Sequence, residues 1–189
     1  MMETDVFVAG AGLAGSIAAL SYSKAGRNVI LADPFIGSNN AQVDYRTTAY
    51  LQPSKLFLER LGIWEAIEDS ATPLDVMKII DSSSVKNGDQ IKSQKEFKSA
   101  EISDLPFGWN VKNSLMRAAL KDLIDSQSNC ELITASGAID LVCRDSAAYV
   151  KLSSGNTVKA KLVIAADGRN SILREKAGIS IKTHRFGQK

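Results

Sequence analysis

The stretch that decides the fold is VFVAGAGLAGSIAALSYSKAGRNVILAD, residues 6–33. An apolar run ends in GAGLAG, residues 10–15, and a second apolar run, NVILAD, ends at Asp33. The pattern predicts a buried strand, a helix over Leu13–Ala25 that Gly26 stops, and a second buried strand. A unit of about 30 residues in this order is typical of a βαβ crossover.

The opening of the chain has two other interpretations, because Val6–Leu20 carries no charge. A secretory signal needs positive charge before its apolar run, and here Glu3 and Asp5 precede it instead. A membrane-spanning helix needs about 20 apolar residues, whereas this run is shorter and is interrupted by three glycines. Neither interpretation fits.

The glycines stand where a phosphate site needs them. We expect Gly10 to permit a tight turn, Gly12 to let the backbone approach a pyrophosphate, and Gly15 to let the helix pack on the strand. The first helical residues, Leu13 and Ala14, then offer unpaired N–H groups and the positive end of the helix dipole to the anion. The motif therefore predicts dinucleotide binding.

Asp33 ends the second strand, 18 residues after Gly15. A carboxylate there accepts hydrogen bonds from a ribose diol and disfavours a 2′-phosphate. The wider spacing of residues 10–33 resembles the fingerprint of FAD-binding proteins of the glutathione-reductase type. Two positions depart from it, since Tyr22 replaces an aliphatic residue and Asp33 replaces glutamate. Because aspartate is shorter than the usual glutamate, NAD stays open as the alternative dinucleotide to FAD.

Composition narrows the class of protein. The chain has 189 residues, of which 44% are hydrophobic and 23% charged, with a net charge of +2. This suits one domain, with or without an insertion, and gives no indication of nucleic-acid binding. Two cysteines, Cys130 and Cys143, indicate neither a disulfide framework nor a metal site, so we expect both to be small buried residues of strands in a reducing compartment.

Further elements are predicted beyond Asp33. Pro53 suits the first turn of a helix, whose apolar face is expected to carry Leu56, Phe57, Leu61 and Ile63. A second helix is expected to begin with Asn113 as its N-cap and to bury Leu115, Ala119 and Leu123. Three short strands follow, at ELITA, AIDLVCR and AAYVKLS. The stretch KLVIAADGRNSILREKAGI predicts a strand, a turn and a helix closed by Gly178.

Four segments carry a family resemblance: GAGLAG, DYRTTAY at 44–50, VKNSLMRAAL at 111–120, and AADGRNSILR at 165–174. With them, the chain resembles the N-terminal half of a flavoprotein aromatic hydroxylase, and more narrowly the group that hydroxylates ubiquinone precursors. The resemblance assigns the last segment to FAD contact and nicotinamide handling, through Asp167, Gly168, Ser171 and Arg174. It also places Arg46 at the FAD phosphates or ribose and Arg117 along the flavin. From the residues alone, an ordinary Asp-Gly turn and a solvated arginine stay open.

The fold class implied is α/β: a truncated Rossmann-like FAD/NAD(P)-binding domain of the glutathione-reductase type with part of an inserted substrate-domain sheet. We expect residues 1–72 and 108–179 to form the FAD-binding domain and 73–107 to belong to the substrate domain, with 180–189 starting the crossover to the rest of that domain. Without the resemblance, 73–103 would be a surface hairpin insertion around the loop SSSVKNGDQ.

The function implied is an FAD-dependent monooxygenase that uses NAD(P)H and O₂ to hydroxylate an aromatic or polyprenylated phenol. No side-chain catalytic set is visible, and His184 is expected to be exposed in a polar tail, which suits an enzyme whose cofactor carries the chemistry. The alternatives are another FAD-dependent oxidoreductase of this fold, such as a prenyl reductase, and a non-catalytic, partner-binding remnant.

The family's second FAD motif, Gly-Asp followed by Ala-Ala-His, does not occur in the sequence. We therefore expect a fragment that binds FAD weakly or not at all and does not hydroxylate alone. Its expected partners are a C-terminal half or other ubiquinone-biosynthesis proteins. Its expected location is the cytoplasm, with peripheral contact at the inner face of the membrane.

Overall fold

The computed structural model describes residues 1–36, 44–81 and 93–187. The predicted loop SSSVKNGDQ, residues 82–90, lies outside them. The chain forms two compact units: the first unit is Met1–Val43 with Arg117–Lys189, and the second unit is Asp44–Met116. The predicted substrate-domain segment 73–107 lies within the second unit, and its assignment to a substrate domain stays a prediction.

The secondary structure is as follows. The strands are β1 (Met2–Ala9), β2 (Val29–Ala32), β3 (Thr47–Leu51), β4 (Thr72–Pro73), β5 (Val76–Asp81), β6 (Ser93–Lys98), β7 (Gly108–Lys112), β8 (Cys130–Ile133), β9 (Ala138–Cys143), β10 (Ala148–Leu152) and β11 (Thr157–Ala165). The α-helices are α1 (Leu13–Lys24), α2 (Gln52–Arg60), α3 (Asn113–Asp125) and α4 (Ile172–Lys176). Short 3₁₀ turns cover Trp64–Ala66, Glu68–Ser70 and Ser99–Glu101.

A six-stranded sheet organises the first unit, in the order β8-β2-β1-β11-β10-β9. Its first four strands are parallel, and β10 and β9 continue it antiparallel. Every residue of β2 and the last four of β1 are buried, as expected for parallel strands covered on both faces. The βαβ unit predicted from residues 6–33 is thus confirmed, and with it the α/β class built on a parallel sheet.

Helix α1 packs through small residues. Its buried positions are Gly15, Ser16, Ala19, Leu20 and Ser23. Leu20 is buried as predicted, whereas Ile17 and Ala18 are only partly buried. Small side chains let the helix axis approach β1 and β2 closely, which is why the apolar residues alone did not locate its inner face.

The second unit contains a three-stranded sheet, β3-β7-β4, and a two-stranded ribbon, β5-β6. Pro53 lies in the first turn of α2, as predicted. The predicted apolar face is wrong in part, because Leu56 and Phe57 are exposed and Leu58 is buried. Successive residues of a helix are 100° apart, and the inner face of α2 passes through Leu58 and Leu61. Leu56 and Phe57 therefore point outward.

The buried side predicted for α3 is displaced by one residue. The fully buried positions are Met116, Leu120 and Ile124, spaced four apart, while Leu115 is exposed. The prediction that Asn113 caps this helix is also wrong. Asn113 is its first residue, and its side-chain oxygen accepts a hydrogen bond from Thr48 Oγ1 at 2.7 Å. The oxygen expected to cap the helix is thus used in a tertiary hydrogen bond.

The predicted burial of the two cysteines and the predicted exposure of His184 can also be compared with the structure. Cys143 is exposed on β9, contrary to expectation, and Cys130 on β8 is half-buried. Burial raises the pKa of the Cys130 thiol to about 11, so it is protonated at neutral pH. His184 is exposed, as predicted. Within the described residues, no helix has the length and apolar content needed to cross a membrane.

Candidate functional site

The turn between β1 and α1 depends on glycine at two positions for its own packing. Gly10 has φ +92°, and a Cβ there would lie 2.5 Å from the carbonyl oxygen of Ala166. A Cβ on Gly15 would lie 1.8 Å from the carbonyl oxygen of Gly10. Any larger residue at either position would therefore force the turn, α1 or β11 to move.

Gly12 is different. A Cβ built on it meets no atom of the described residues within 4 Å, and its φ of −67° suits any residue. The protein's own packing therefore does not explain this glycine. Open space above a backbone turn is what a closely approaching pyrophosphate requires.

The N-terminus of α1 faces the same turn. Gly12 is the N-cap, no side chain caps the helix, and its first turn holds no acidic residue. The first N–H groups of a helix lack intrahelical partners, and here they belong to Leu13 and Ala14. With the positive end of the dipole of a 12-residue helix, these amides form an anion-binding end.

Asp33 follows β2, and its carboxylate is directed at backbone amides. Oδ2 accepts from Ala11 N–H at 2.8 Å, and Oδ1 accepts from Phe35 and Ile36 N–H at 2.7 and 3.1 Å. The residue is 9% exposed. Sequence reasoning expected a ribose contact at this residue and did not foresee the link to Ala11.

The second corner of the site follows β11. Asp167 Oδ2 accepts from the N–H groups of Ile172 and Leu173, at 2.9 and 3.3 Å. Ser171 Oγ accepts from Arg174 N–H at 3.0 Å and caps α4. Gly168 has φ +91°, a backbone geometry that favours glycine. The Asp-Gly corner is therefore a turn held by two side-chain caps.

The glycine turn and the Asp-Gly corner meet. β1 and β11 are parallel neighbours, with Ala9 opposite Ala165, and Ala166 N–H donates to Ala9 O at 2.8 Å. A Cβ on Gly10 would come within 3.0 Å of Asp167 Cα. Both motifs thus leave the carboxyl edge of one sheet, where α/β folds bind ligands.

Two buried polar atoms at this corner have no hydrogen-bond partner among the described residues, Asp167 Oδ1 and Arg174 Nε. Arg174 also donates from Nη1 to Arg169 O at 3.0 Å. Buried polar groups are normally paired, so the corner suits a ligand that brings a donor for the carboxylate and an acceptor for the guanidinium. FAD carries both, as ribityl hydroxyls and phosphate oxygens, and the residues present fit the group.

A groove of about 690 Å³ lies beside the corner. It is lined by β9, β10, β11 and α4 and includes Gly168, Ser171 and Arg174. The glycine turn and Asp33 do not line it, so the groove adjoins the phosphate end of the site without containing it.

Arg46 belongs to the second unit, where it pairs with a carboxylate. Its Nε and Nη2 donate to the two oxygens of Asp44 at 2.8 and 2.9 Å. The Arg46 guanidinium, followed by the Asn113 amide, holds the pKa of Asp44 well below its usual range. Arg117 is exposed on α3. The cofactor roles of both arginines stay predictions.

Comparison with known proteins gives the family. The FAD binding domain family matches residues 3–187, and the chain belongs to it. Ubiquinone hydroxylase UbiL of Rhodospirillum rubrum is 30% identical over 97% of this chain and 42% of that protein. The 3-demethoxyubiquinol 3-hydroxylase of Escherichia coli K12 is 26% identical over 98% of this chain and 46% of that protein. The resemblance drawn from the four sequence segments is confirmed.

The fold is shared with solved flavoprotein structures. The p-nitrophenol 4-monooxygenase PnpA of Pseudomonas putida DLL-E4 superimposes with a TM-score of 0.76 at 20% identity, over 94% of this chain and 44% of that one. The chain therefore spans less than half the length of the relatives it matches.

Proposed function

We propose that this chain supplies the adenosine-diphosphate-binding part of an FAD-dependent monooxygenase that hydroxylates an aromatic ubiquinone precursor. The observation that carries the proposal is the meeting of the glycine turn and the Asp-Gly corner at one sheet edge. The ubiquinone-type hydroxylases among its relatives support the substrate class.

Each part of the site has a task in this proposal. The pyrophosphate lies against Gly12 and the amides of Leu13 and Ala14, where helix dipole and N–H groups stabilise the anion. Asp167 Oδ1 accepts from a hydroxyl of the cofactor, and Arg174 Nε donates to one of its oxygens. Arg46 and Arg117 supply further contacts to phosphate and flavin. When bound and reduced by NAD(P)H, the flavin supplies the activation of O₂ for insertion into an electron-rich ring.

We assign the remaining tasks to the part of the relatives that this chain does not match. Relatives are more than twice as long as the matched region, and the Gly-Asp…Ala-Ala-His motif does not occur in the sequence. We propose that a partner polypeptide covers the flavin and the phenol and excludes water, since water access would divert the reaction. Peripheral membrane contact fits a polyprenylated substrate.

The binding proposal is tested by titrating the chain with FAD and with ADP, following flavin fluorescence and calorimetry. We expect saturable but weak binding of both. Gly12→Ala should lower both affinities at least tenfold, because its methyl group enters the space of the pyrophosphate. Its free energy of unfolding without ligand should stay within about 1 kcal/mol of the wild type, because alanine is a poorer N-cap than glycine but the methyl meets no atom of the described residues.

Three outcomes would contradict the proposal. Absence of saturable ADP and FAD binding, or Gly12→Ala affinities equal to the wild type, would remove the phosphate site. Tight FAD binding together with insertion of one ¹⁸O atom from ¹⁸O₂ into a prenylated phenol by this chain alone would show that no partner is needed.

A further inference from the structure

Asp33 is the acid that would be expected to face a ribose, yet the protein itself occupies most of its carboxylate. An ionised carboxylate offers about four lone-pair sites. Three backbone N–H groups, from Ala11, Phe35 and Ile36, already donate to it. At most one site is left for a sugar hydroxyl.

The contact with Ala11 acts on the glycine turn. Ala11 lies between Gly10 and Gly12, and Gly10 N–H itself donates to Ala32 O at 2.8 Å. Two consecutive amides of the turn are thus fixed to the end of β2, one by a carbonyl and one by a carboxylate. Ala11 is 4% exposed, so water cannot readily replace the carboxylate.

The other oxygen fixes Asp33 itself. Phe35 and Ile36 fold back onto Oδ1 in the manner of an Asx turn, which needs a short acidic or amide side chain. The backbone of Asp33 is held as well, since its N–H donates to Ile133 O at 3.1 Å and its carbonyl accepts from Ser136 N–H at 3.2 Å. The carboxylate is therefore aimed at Ala11 by four contacts from the protein.

We propose that Asp33 is a positioning residue, which sets the shape of the glycine turn through Ala11 and influences cofactor binding through that turn. The link to the cofactor rests on the proposed function; the effect on the turn does not.

The first test needs no ligand. Asparagine at this position keeps only one acceptor oxygen, so Asp33→Asn leaves either Ala11 or the Phe35–Ile36 pair facing an NH₂ group. The unfolding temperature of the ligand-free chain should fall by about 5 °C, and backbone hydrogen exchange at residues 10–15 should accelerate at least tenfold. Asp33→Glu should lower the unfolding temperature too, because the longer side chain does not fit the turn. Asp145→Asn, at an exposed position on the turn after β9, is the charge-matched control and should do neither.

The second test distinguishes an effect of Asp33 on the glycine turn from a direct contact between Asp33 and the ribose. Affinities for ADP and for 2′,3′-dideoxy-ADP are measured with wild type and with Asp33→Asn. A positioning role predicts that the variant loses the same factor, at least fivefold, for both nucleotides. A ribose ligand predicts loss for ADP alone, with affinity retained in Asp33→Glu.

The outcomes distinguish the two proposals. If the wild type binds neither nucleotide, the proposed function fails, while the ligand-free measurements still decide the role of Asp33 in the turn. Unchanged stability and exchange in Asp33→Asn would overturn the positioning role, as would a loss confined to ADP.

Discussion

The turns after β2 and β11 are each organised by an aspartate, and the two carboxylates differ in how many partners the protein gives them. Both oxygens of Asp33 accept backbone N–H groups. Asp167 uses one oxygen to cap α4, while the other is buried without a partner among the described residues. Residue type and position at the sheet edge are the same in both cases. The number of donors supplied by the chain distinguishes a carboxylate that shapes a turn from one that is ready for a ligand.

The largest expected effect comes from a substitution that forces the glycine turn and the Asp-Gly corner apart. Gly10→Ala places a methyl 2.5 Å from Ala166 O at a φ of +92°, so we expect a loss of about 3–5 kcal/mol in the free energy of unfolding, measured in urea. Gly155→Ala is the matched control, since it has φ +89° but no atom within 4 Å of the added Cβ, and should cost about 1 kcal/mol. Equal losses would mean that backbone strain, rather than close contact between the turns, makes Gly10 necessary.

The next effect compares the two carboxylates directly. In Asp167→Asn, the amide oxygen can keep capping Ile172 and Leu173 while NH₂ replaces the unpartnered oxygen, so stability without ligand should stay within about 0.5 kcal/mol of the wild type. FAD affinity should nevertheless fall about tenfold, because a donor now faces the cofactor's donor. Calorimetric titration and urea unfolding check both parts. If Asp167→Asn destabilised the ligand-free chain as Asp33→Asn is expected to, the two aspartates would have the same role.

Sequence reasoning located this edge of the fold because the signals were local. Glycine spacing, the two apolar runs and the Asp-Gly pair each prescribe backbone geometry within a few residues. Parallel neighbours then bring the two motifs together, as Ala9 and Ala165 show.

What sequence reasoning missed depends on tertiary contact. The inner faces of α2 and α3 were displaced because residues on several sides of each helix are apolar, and packing partners decide which ones are buried. The cap expected of Asn113 is absent because α3 already begins at this residue, and its side-chain oxygen accepts from Thr48, which is distant in sequence. For the same reason the sequence could not predict the hydrogen bond between Asp33 and Ala11, 22 residues earlier. An aspartate that binds a glycine turn and one that binds a ribose cannot be told apart from residue type alone.

A smaller loss of stability is expected from removing the caps of α4, and it tests whether Asp167 and Ser171 act together. Ser171→Ala removes the oxygen that accepts from Arg174 N–H, so we expect a loss of about 1 kcal/mol in urea unfolding, with Ser171→Thr recovering most of it. Because Asp167 holds the same helix end, Ser171→Ala combined with Asp167→Ala should cost less than the sum of the two single changes. Additive losses would show that the two caps act independently.

The smallest effect concerns a third aspartate, whose oxygens accept from a charged side chain as well as from amides. Arg46 and then Asn113 hold the pKa of Asp44 below its usual range, so this pairing stabilises the folded chain above about pH 4 and the stabilisation is lost as the pH falls below that. Arg46 is 77% exposed, and surface pairs contribute little. The unfolding temperature of Asp44→Asn should therefore lie slightly below that of the wild type at pH 7, and the difference should narrow as the pH falls from about 4 towards 2.5, whereas Asp145→Asn should show no such narrowing. A difference that persisted unchanged at low pH would mean that Asp44 stabilises the segment through shape and neutral hydrogen bonds. Asp44 would then resemble Asp33, as a residue that orders backbone rather than one defined by its charge.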